Sequence, residues 1–264
     1  MERYEPVPEF LLGNKDTKLA MIVDPPEQSP QQAAARVEEF LQKGGSAVLI
    51  GGSGKIEPDV FHNVVVAVTQ VTSDRSTVPV WILPGHIDQI PQNRYDLAGV
   101  FNYKYIMGSE GSFDEAYPPE ARARVAVILS ERQIPSISTL YILCGDPVSS
   151  VSRVSGIKPL DFSFQQSQER FLKDTQYWLE RNVDCVFFES GSNSQKYVDR
   201  GVVLEVRQLI DTISPETLLI VSGGIRTPDQ ARLFANIADY VNVGGQFERN
   251  GVGDVQDFVF ALRV

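Results

Sequence analysis

Short apolar runs alternate with longer stretches of helical periodicity along almost the whole chain. Eight runs are bounded by Gly, Pro or Asp and are nearly continuous in Val, Ile, Leu and Phe. That pattern is typical of strands covered on both faces, and therefore of a parallel sheet. The runs lie at 18–23, 47–50, 78–83, 98–102, 137–144, 185–188, 217–221 and 240–243.

The stretches between the runs carry helix start signals. Ser29-Pro30-Gln31-Gln32 and Thr227-Pro228-Asp229-Gln230 each place a hydroxyl at the N-cap, proline at the first helical position and Gln at the third, which predicts a capping box. Further helices are predicted at 59–71, 118–132, 165–181, 196–213 and 254–262. Proline and asparagine clusters between Gly85 and Leu97 predict that a loop replaces the helix after the third strand.

Repeated βα units without a break in composition predict one domain over residues 1–264, an α/β fold of the (β/α)8 TIM-barrel type. A doubly wound open sheet is the alternative architecture, since it uses the same alternation of strands and helices.

Composition narrows the function classes. A formal charge of −10 argues against a surface built to bind nucleic acid. No apolar run approaches the roughly 18 residues that a membrane span needs, and the first residues lack the basic and apolar blocks of a secretory signal, so we expect a cytoplasmic protein without an integral membrane segment. Cys144 and Cys185 lie inside apolar runs and are predicted to be buried thiols.

The residues that follow the strands are the candidates for chemistry, because the loops after barrel strands share one face. Gly223-Gly224 and Gly244-Gly245 follow the seventh and eighth strands. Glycine lets backbone N–H groups approach an anion closely, and the helix that starts at Thr227 adds its positive end nearby. These loops predict a phosphate site, with Arg226 either adding charge or lying as a solvated surface residue.

The carboxylates of Asp24 and Glu189 also lie at strand ends. Asp24 follows the first strand, and Ser53 follows the neighbouring second strand. The Asp24 carboxylate and the Ser53 hydroxyl could share a hard cation such as Mg²⁺, although Asp24 could equally cap a turn before proline. Glu189 follows Val-Phe-Phe at the top of a buried strand, which indicates a hydroxyl-binding or proton-transfer role.

Taken in chain order, the strand-end residues resemble one known family. Asp24-Pro25, Gly51-Gly52-Ser53, Pro84-Gly85, Phe187-Phe188-Glu189-Ser190-Gly191-Ser192, Gly223-Gly224-Ile225-Arg226 and Val243-Gly244 are similar to the motifs of the geranylgeranylglyceryl phosphate synthases, barrel prenyltransferases that include the bacterial heptaprenylglyceryl phosphate synthases. The resemblance extends from about residue 18 to about residue 250.

This resemblance implies transfer of an isoprenoid from an allylic prenyl diphosphate to a hydroxyl of a small three-carbon phosphate, with Mg²⁺ as the cofactor. It assigns Asp24 and Ser53 to Mg²⁺ and Glu189 to the acceptor hydroxyl. The acceptor site would comprise Phe187, Gly191, Ser192, Gly223, Gly224, Arg226, Gly244 and Gly245. Family members are often dimers, so a homodimer is an expectation as well.

The chain departs from the family pattern at three places. Phe187 stands where the family has tyrosine, Pro26-Glu27 replaces Asp-Lys, and Gly245 replaces asparagine. These changes surround the acceptor and diphosphate sites and leave two acceptors open, sn-glycerol 1-phosphate and the 3-phosphoglycerate used by the moenomycin-type enzymes of antibiotic biosynthesis. The competing hypotheses are a phosphate-binding barrel isomerase or aldolase and a non-catalytic relative that only binds a phosphorylated ligand.

Overall fold

A computed structural model of the chain describes residues 16–52, 54–75, 77–108, 119–163, 165–191 and 194–263. In these residues eight parallel strands close into a barrel in sequential order, and the first strand pairs with the last. The strands are β1 Lys18–Val23, β2 Ala47–Ile50, β3 Val80–Ile82, β4 Gly99–Met107, β5 Ser136–Leu143, β6 Cys185–Glu189, β7 Leu218–Ser222 and β8 Tyr240–Val243. The predicted TIM barrel is confirmed, and the open-sheet alternative is wrong because β1 and β8 pair.

Helices cover the outside of the barrel. They are α1 Pro30–Gln42, α2 Pro58–Thr72, α3 Pro119–Glu131, α4 Ser150–Ser155, α5 Gln165–Leu179, α6 Arg200–Ile213, α7 Pro228–Arg232, α8 Gly245–Asn250 and α9 Val255–Leu262. Both predicted capping boxes form, at Ser29 for α1 and at Thr227 for α7. The sixth helix was predicted to begin at 196, but it begins at Arg200 because the Asp199 side chain accepts the Gly201 and Val202 amides as an N-cap.

A 3-10 turn, Ile87–Gln89, stands between β3 and β4 where the preceding βα units have a helix. The predicted replacement of that helix by a loop is therefore confirmed. β4 is longer than predicted and changes register between Tyr103 and Tyr105, an irregularity that no feature of the apolar pattern indicated.

Side chains fill the barrel interior, and the lower layers are aromatic. Trp81 packs edge-on against Tyr240, Phe101 packs edge-on against Phe187, and Phe187 stacks on Tyr141. Large rings leave little space for water, so polar groups directly above them lie in an apolar environment.

Two further predictions concern the whole chain. Cys144 and Cys185 are buried free thiols, as predicted. Within the described ranges, no helix has the length and apolarity needed to cross a membrane.

Candidate functional site

A pocket of about 450 Å³ opens at the carboxyl ends of the last three strands. It brings together seven of the residues predicted from the sequence: Glu189, Gly191, Gly223, Gly224, Arg226, Gly244 and Gly245. Its remaining lining residues are Ile22, Ser194, Ser222, Ile225, Asn242 and Gln246. The strand-end loops therefore converge as the barrel prediction required.

Glu189 ends β6 and points into the barrel mouth. The side chain is 6% exposed, and the Gly191 N–H donates to its Oε1 at 2.5 Å. Phe187 lies two residues earlier on the same face and is fully buried. A carboxylate that is hydrogen-bonded on one side and lies above aromatic rings on the other is poorly hydrated.

Burial raises the pKa of Glu189 from 4.5 to about 7. Desolvation is the main cause, because removing water penalises the charged carboxylate. Hydrogen bonds from the Ser222 side chain and the Gly191 amide oppose this effect by stabilising the anion. The carboxyl group is thus poised to exchange a proton near neutral pH, which suits a general base.

The glycines of the pocket are required by its geometry. Gly223 has a φ of +81° and Gly224 a φ of +71°. A Cβ atom on Gly223 would lie 2.6 Å from both Glu189 Oε1 and the Gly191 nitrogen, and one on Gly224 would lie 2.2 Å from the Lys196 carbonyl oxygen. Side chains are excluded here, so backbone atoms form the wall of the pocket next to the carboxylate.

The two helices at this wall differ in how their first amides are used. At α7, Gln230 Oε1 accepts the Arg226 and Thr227 amides, and Thr227 Oγ1 accepts the Gln230 amide. At α8, the N-cap is Gly244, which has no side chain to act as a cap. The sequence predicts that the helix after Thr227 helps to hold an anion; its capping box accepts two of its first amides, whereas α8 begins without a side-chain cap.

Arg226 lines the pocket, and its guanidinium reaches across to the loop after β6. Nη2 donates to the Ser194 carbonyl at 2.8 Å, and Nη1 donates to Gln195 Oε1 at 2.9 Å. The Asp146 carboxylate accepts the Gln195 amide of the same loop at 2.6 Å. Arg226 therefore holds the β6 loop against the β7 loop at the rim of the site.

Asp24, the predicted metal ligand that the structure describes, lies on the adjacent side of the barrel mouth. Asp24 directly follows β1, and a Cβ atom on Gly52 would lie 2.4 Å from Asp24 Oδ1, so the loop after β2 packs directly on this carboxylate. The described residues hold no cluster of three or more His, Cys, Asp or Glu side chains. One carboxylate fits Mg²⁺, which usually binds proteins through one or two carboxylates and completes its shell with water and substrate phosphates.

Phe187 does not line the pocket but forms part of the aromatic layer beneath Glu189, where its ring contacts Phe101 and Tyr141. The predicted residues Ser53 and Ser192 lie outside the described residues.

The sequence analysis missed Asn242 and Gln89. Asn242 lines the pocket from β8, and the signal that could have found it is a single amide inside an apolar strand. Gln89 is fully buried, and its side chain bonds the backbones of Gly52, Gly54 and Gly85. It joins the loop after β2 to the loop after β3.

The closed eight-stranded barrel and the pocket at the carboxyl ends of its strands define the chain as a (β/α)8 protein whose pocket lies on the face that carries the active sites of barrel enzymes. The sequence model of the PcrB family matches residues 14–261, and the chain belongs to that family.

Two relatives match the chain over nearly its full length. The chain is 28% identical to the geranylgeranylglyceryl phosphate synthase of Thermoplasma acidophilum over 244 residues, covering 92% of this chain and 88% of the relative. The enzyme of the same name from Aeropyrum pernix is 25% identical, with coverages of 92% and 90%.

A solved structure is also similar. The crystal structure of (S)-3-O-geranylgeranylglyceryl phosphate synthase from Thermoplasma acidophilum in complex with its substrate sn-glycerol-1-phosphate superposes with a TM-score of 0.77 at 26% identity, covering 96% of this chain and 95% of that one. The predicted family and the predicted enzyme class, an ether-forming prenyltransferase, are confirmed.

Proposed function

We propose that this enzyme transfers an isoprenoid from an allylic prenyl diphosphate to a hydroxyl of sn-glycerol 1-phosphate in a Mg²⁺-dependent reaction. The observation that supports this best is the pocket in which glycine backbone lies in direct contact with the buried Glu189 carboxylate. A phosphate held by backbone amides and a hydroxyl held by a carboxylate are the two recognition elements of a phosphorylated alcohol.

The pocket residues have separate tasks in this proposal. Amides of Gly224, Gly245 and Gln246 bind the acceptor phosphate, because glycines leave the backbone accessible along this part of the pocket and α8 has no side-chain cap. Glu189 accepts a hydrogen bond from the reacting hydroxyl. Fixing the phosphate at one end orients the hydroxyl at the other, which reduces the entropy cost of the encounter.

The bond changes are those of an alkyl transfer to oxygen. The acceptor oxygen bonds to C1 of the prenyl chain while the bond from C1 to the diphosphate oxygen breaks. The hydroxyl proton passes to Glu189, and the bonding pair leaves with the diphosphate. Burial gives Glu189 a pKa of about 7, which makes it a stronger base than an exposed glutamate.

Asp24 would hold Mg²⁺ against the diphosphate, with Ser53 as a second expected ligand from the loop after β2. When bound, the ion neutralises the charge that develops on the departing diphosphate. Gln89 fixes the backbone of that loop beside Asp24 through its bonds to Gly52 and Gly54.

A direct assay tests the proposal. Purified protein is incubated with radiolabelled geranylgeranyl or longer allylic diphosphates, with or without Mg²⁺, and with sn-glycerol 1-phosphate or 3-phosphoglycerate. We expect a butanol-extractable prenyl ether only with Mg²⁺ and with glycerol phosphate. Product with 3-phosphoglycerate alone would select the other acceptor, and no lipid product at any chain length would reject the transferase function in favour of a binding or isomerase role.

A further inference from the structure

A row of polar side chains crosses three adjacent strands at the top of the barrel interior. Glu189 on β6 is the register partner of Ser222 on β7, and Ser222 is the register partner of Asn242 on β8. All three side chains line the pocket. They form a continuous polar edge above the aromatic layers, next to the glycine wall.

Asn242 has an unsatisfied polar atom in this row. The residue is 1% exposed, and its Nδ2 donates to Ser222 Oγ at 2.9 Å. Within the part of the chain that the structure describes, its Oδ1 is buried and has no hydrogen-bond partner. A buried acceptor without a donor destabilises a fold, and such groups in native proteins call for an explanation. The neighbours of Asn242 in β8 are valines, so an apolar side chain would suit the barrel better.

The direction of the amide follows from the row itself. Ser222 has one hydroxyl proton, and the Ser222 side chain uses it to stabilise the Glu189 carboxylate. Its oxygen must then accept from Asn242, which fixes Nδ2 towards Ser222 and leaves Oδ1 as the free acceptor. The row therefore presents two acceptors to the pocket, the Glu189 carboxylate and Asn242 Oδ1.

Building on the proposed function, we infer that Asn242 binds the alcohol acceptor, with its Oδ1 receiving a hydrogen bond from a second hydroxyl of the three-carbon phosphate. The reacting hydroxyl donates to Glu189, and the neighbouring hydroxyl donates to Asn242. A polyol phosphate supplies both donors. 3-Phosphoglycerate has a single hydroxyl, so when that hydroxyl donates to Glu189, the carboxylate faces Asn242, supplies no donor and adds a negative charge next to Glu189.

Charge at the pocket supports this selectivity. Among the described lining residues Arg226 is the cation, and its guanidinium is directed to the Ser194 carbonyl and the Gln195 side chain. A phosphoglycerate would thus place its carboxylate beside two acceptors without a facing cation. The row selects a neutral polyol end over an acidic one.

Calorimetric binding without a prenyl diphosphate tests the inference separately from catalysis. The ligands are sn-glycerol 1-phosphate, 3-phosphoglycerate and inorganic phosphate. We expect the wild-type protein to bind glycerol 1-phosphate at least about tenfold more tightly than 3-phosphoglycerate, as one hydrogen bond and one charge repulsion would give. Equal or tighter binding of 3-phosphoglycerate would overturn the inference without any variant.

The variant Asn242→Leu removes the amide with little change in volume. We expect glycerol 1-phosphate to bind about tenfold more weakly and inorganic phosphate to bind within twofold of wild type, because the glycine wall is unchanged. Asn102→Leu is the matched control, since Asn102 is also a buried amide on a barrel strand, bonded to Ser136, but does not line the pocket. Unchanged glycerol phosphate binding in a folded Asn242→Leu would overturn the inference.

Ser222→Ala provides a second measurement if Asn242→Leu does not fold. This variant removes the acceptor of the Asn242 Nδ2 hydrogen bond, so the amide is free to rotate and Oδ1 is no longer held towards the pocket. The preference for glycerol 1-phosphate over 3-phosphoglycerate should therefore fall. An unchanged preference contradicts the inference. Absence of prenyl ether from the wild-type protein would reject the proposed function instead, and the binding data distinguish the two failures.

Discussion

The raised pKa of Glu189 follows from the aromatic layer beneath its carboxyl group. Phe187 and the rings that pack against it fill the layer below, and hydrogen bonds from the Ser222 side chain and the Gly191 amide compensate part of the cost of the buried charge. The carboxyl group therefore changes protonation state in the range where the cell operates, whereas an exposed glutamate would stay ionised. As pH rises through this pKa, we expect activity to increase, because the base is ionised, and stability to decrease, because the buried group becomes charged.

Glu189→Gln keeps the volume of the side chain and removes the base. We expect kcat to fall by about 10² to 10⁴, the usual contribution of a general base, while the thermal unfolding transition persists. Wild-type kcat should rise with pH through an apparent pKa near 7, and a pH series of initial rates measures both effects. Turnover close to wild type would remove Glu189 from the mechanism.

The same variant has a predictable effect on stability. The folded-state pKa of about 7 lies above the unfolded value of 4.5, so the folded wild type binds its proton more tightly. Stability from this group is complete below pH 4.5 and is lost as pH rises to about 7. Relative to wild type, Glu189→Gln should gain up to about 3 kcal/mol in free energy of unfolding between pH 4.5 and pH 8. Urea titrations at both pH values check this, and a pH-independent difference would contradict it.

Sequence predicted Glu189 but missed Asn242, for a physical reason. A carboxylate directly after an apolar run stands at a strand end, and the strand ends of a barrel form the mouth. Asn242 lies inside a strand whose residues are all buried, so the apolar pattern does not show which side chains face the barrel axis. The register with Ser222 in the structure shows that the Asn242 side chain faces the barrel axis.

The 3-10 turn Ile87–Gln89 does more at the element scale than connect β3 to β4. It delivers Gln89 to the mouth, where its Oε1 accepts the Gly85 amide at 2.9 Å and its Nε2 donates to the Gly52 and Gly54 carbonyls at 3.1 and 2.5 Å. One amide thus fixes the loop that packs on Asp24.

Gln89→Leu should loosen that loop without affecting the glycine wall. We expect KM for the prenyl diphosphate, and the Mg²⁺ concentration for half-maximal rate, to rise about tenfold, while KM for the alcohol acceptor changes little. Gln92→Leu, a substitution at an exposed residue of the same segment, is the control. A rise confined to the acceptor KM would show that Gln89 serves the other half of the site.

The ends of elements were predictable where a side chain marks them. Ser29 and Thr227 cap their helices as their sequence motifs indicated. The start of α6 was placed too early because the apolar periodicity continues upstream of the Asp199 cap. At α7 the capping box that identifies the helix also accepts two of its first amides, and the contribution of this helix to an anion site stays a prediction.

At the scale of the whole molecule, one end of the barrel holds the candidate site and the other end holds interactions that stabilise the fold. The site occupies the carboxyl ends of the strands, and a buried ion-pair cluster lies at the amino ends. Arg207 of α6 is 2% exposed and donates to Asp211 at 2.7 Å and to Asp239 at 3.2 Å, and Asp239 also accepts the Leu219 amide. This cluster joins α6 to β7 and to the start of β8.

Asp239→Asn should destabilise the fold without affecting the reaction. Removing one carboxylate leaves the buried Arg207 charge undercompensated, which costs about 2 to 4 kcal/mol in free energy of unfolding. Denaturant unfolding measures the loss, and kcat at a temperature well below the transition should match wild type. Asp211→Asn, at the more exposed partner, should cost less. A lowered kcat in folded Asp239→Asn would show that the two ends are coupled.

The pairing of β8 with β1 has a consequence for how the enzyme is made. Asn242 belongs to the last strand, and Gly244 and Gly245 follow it. During synthesis the ribosome therefore adds Glu189 well before the residues that form the β8 side of the pocket. We therefore expect any chain that ends before β8 to be inactive. The site is complete only when β8 has been synthesised and pairs with β1.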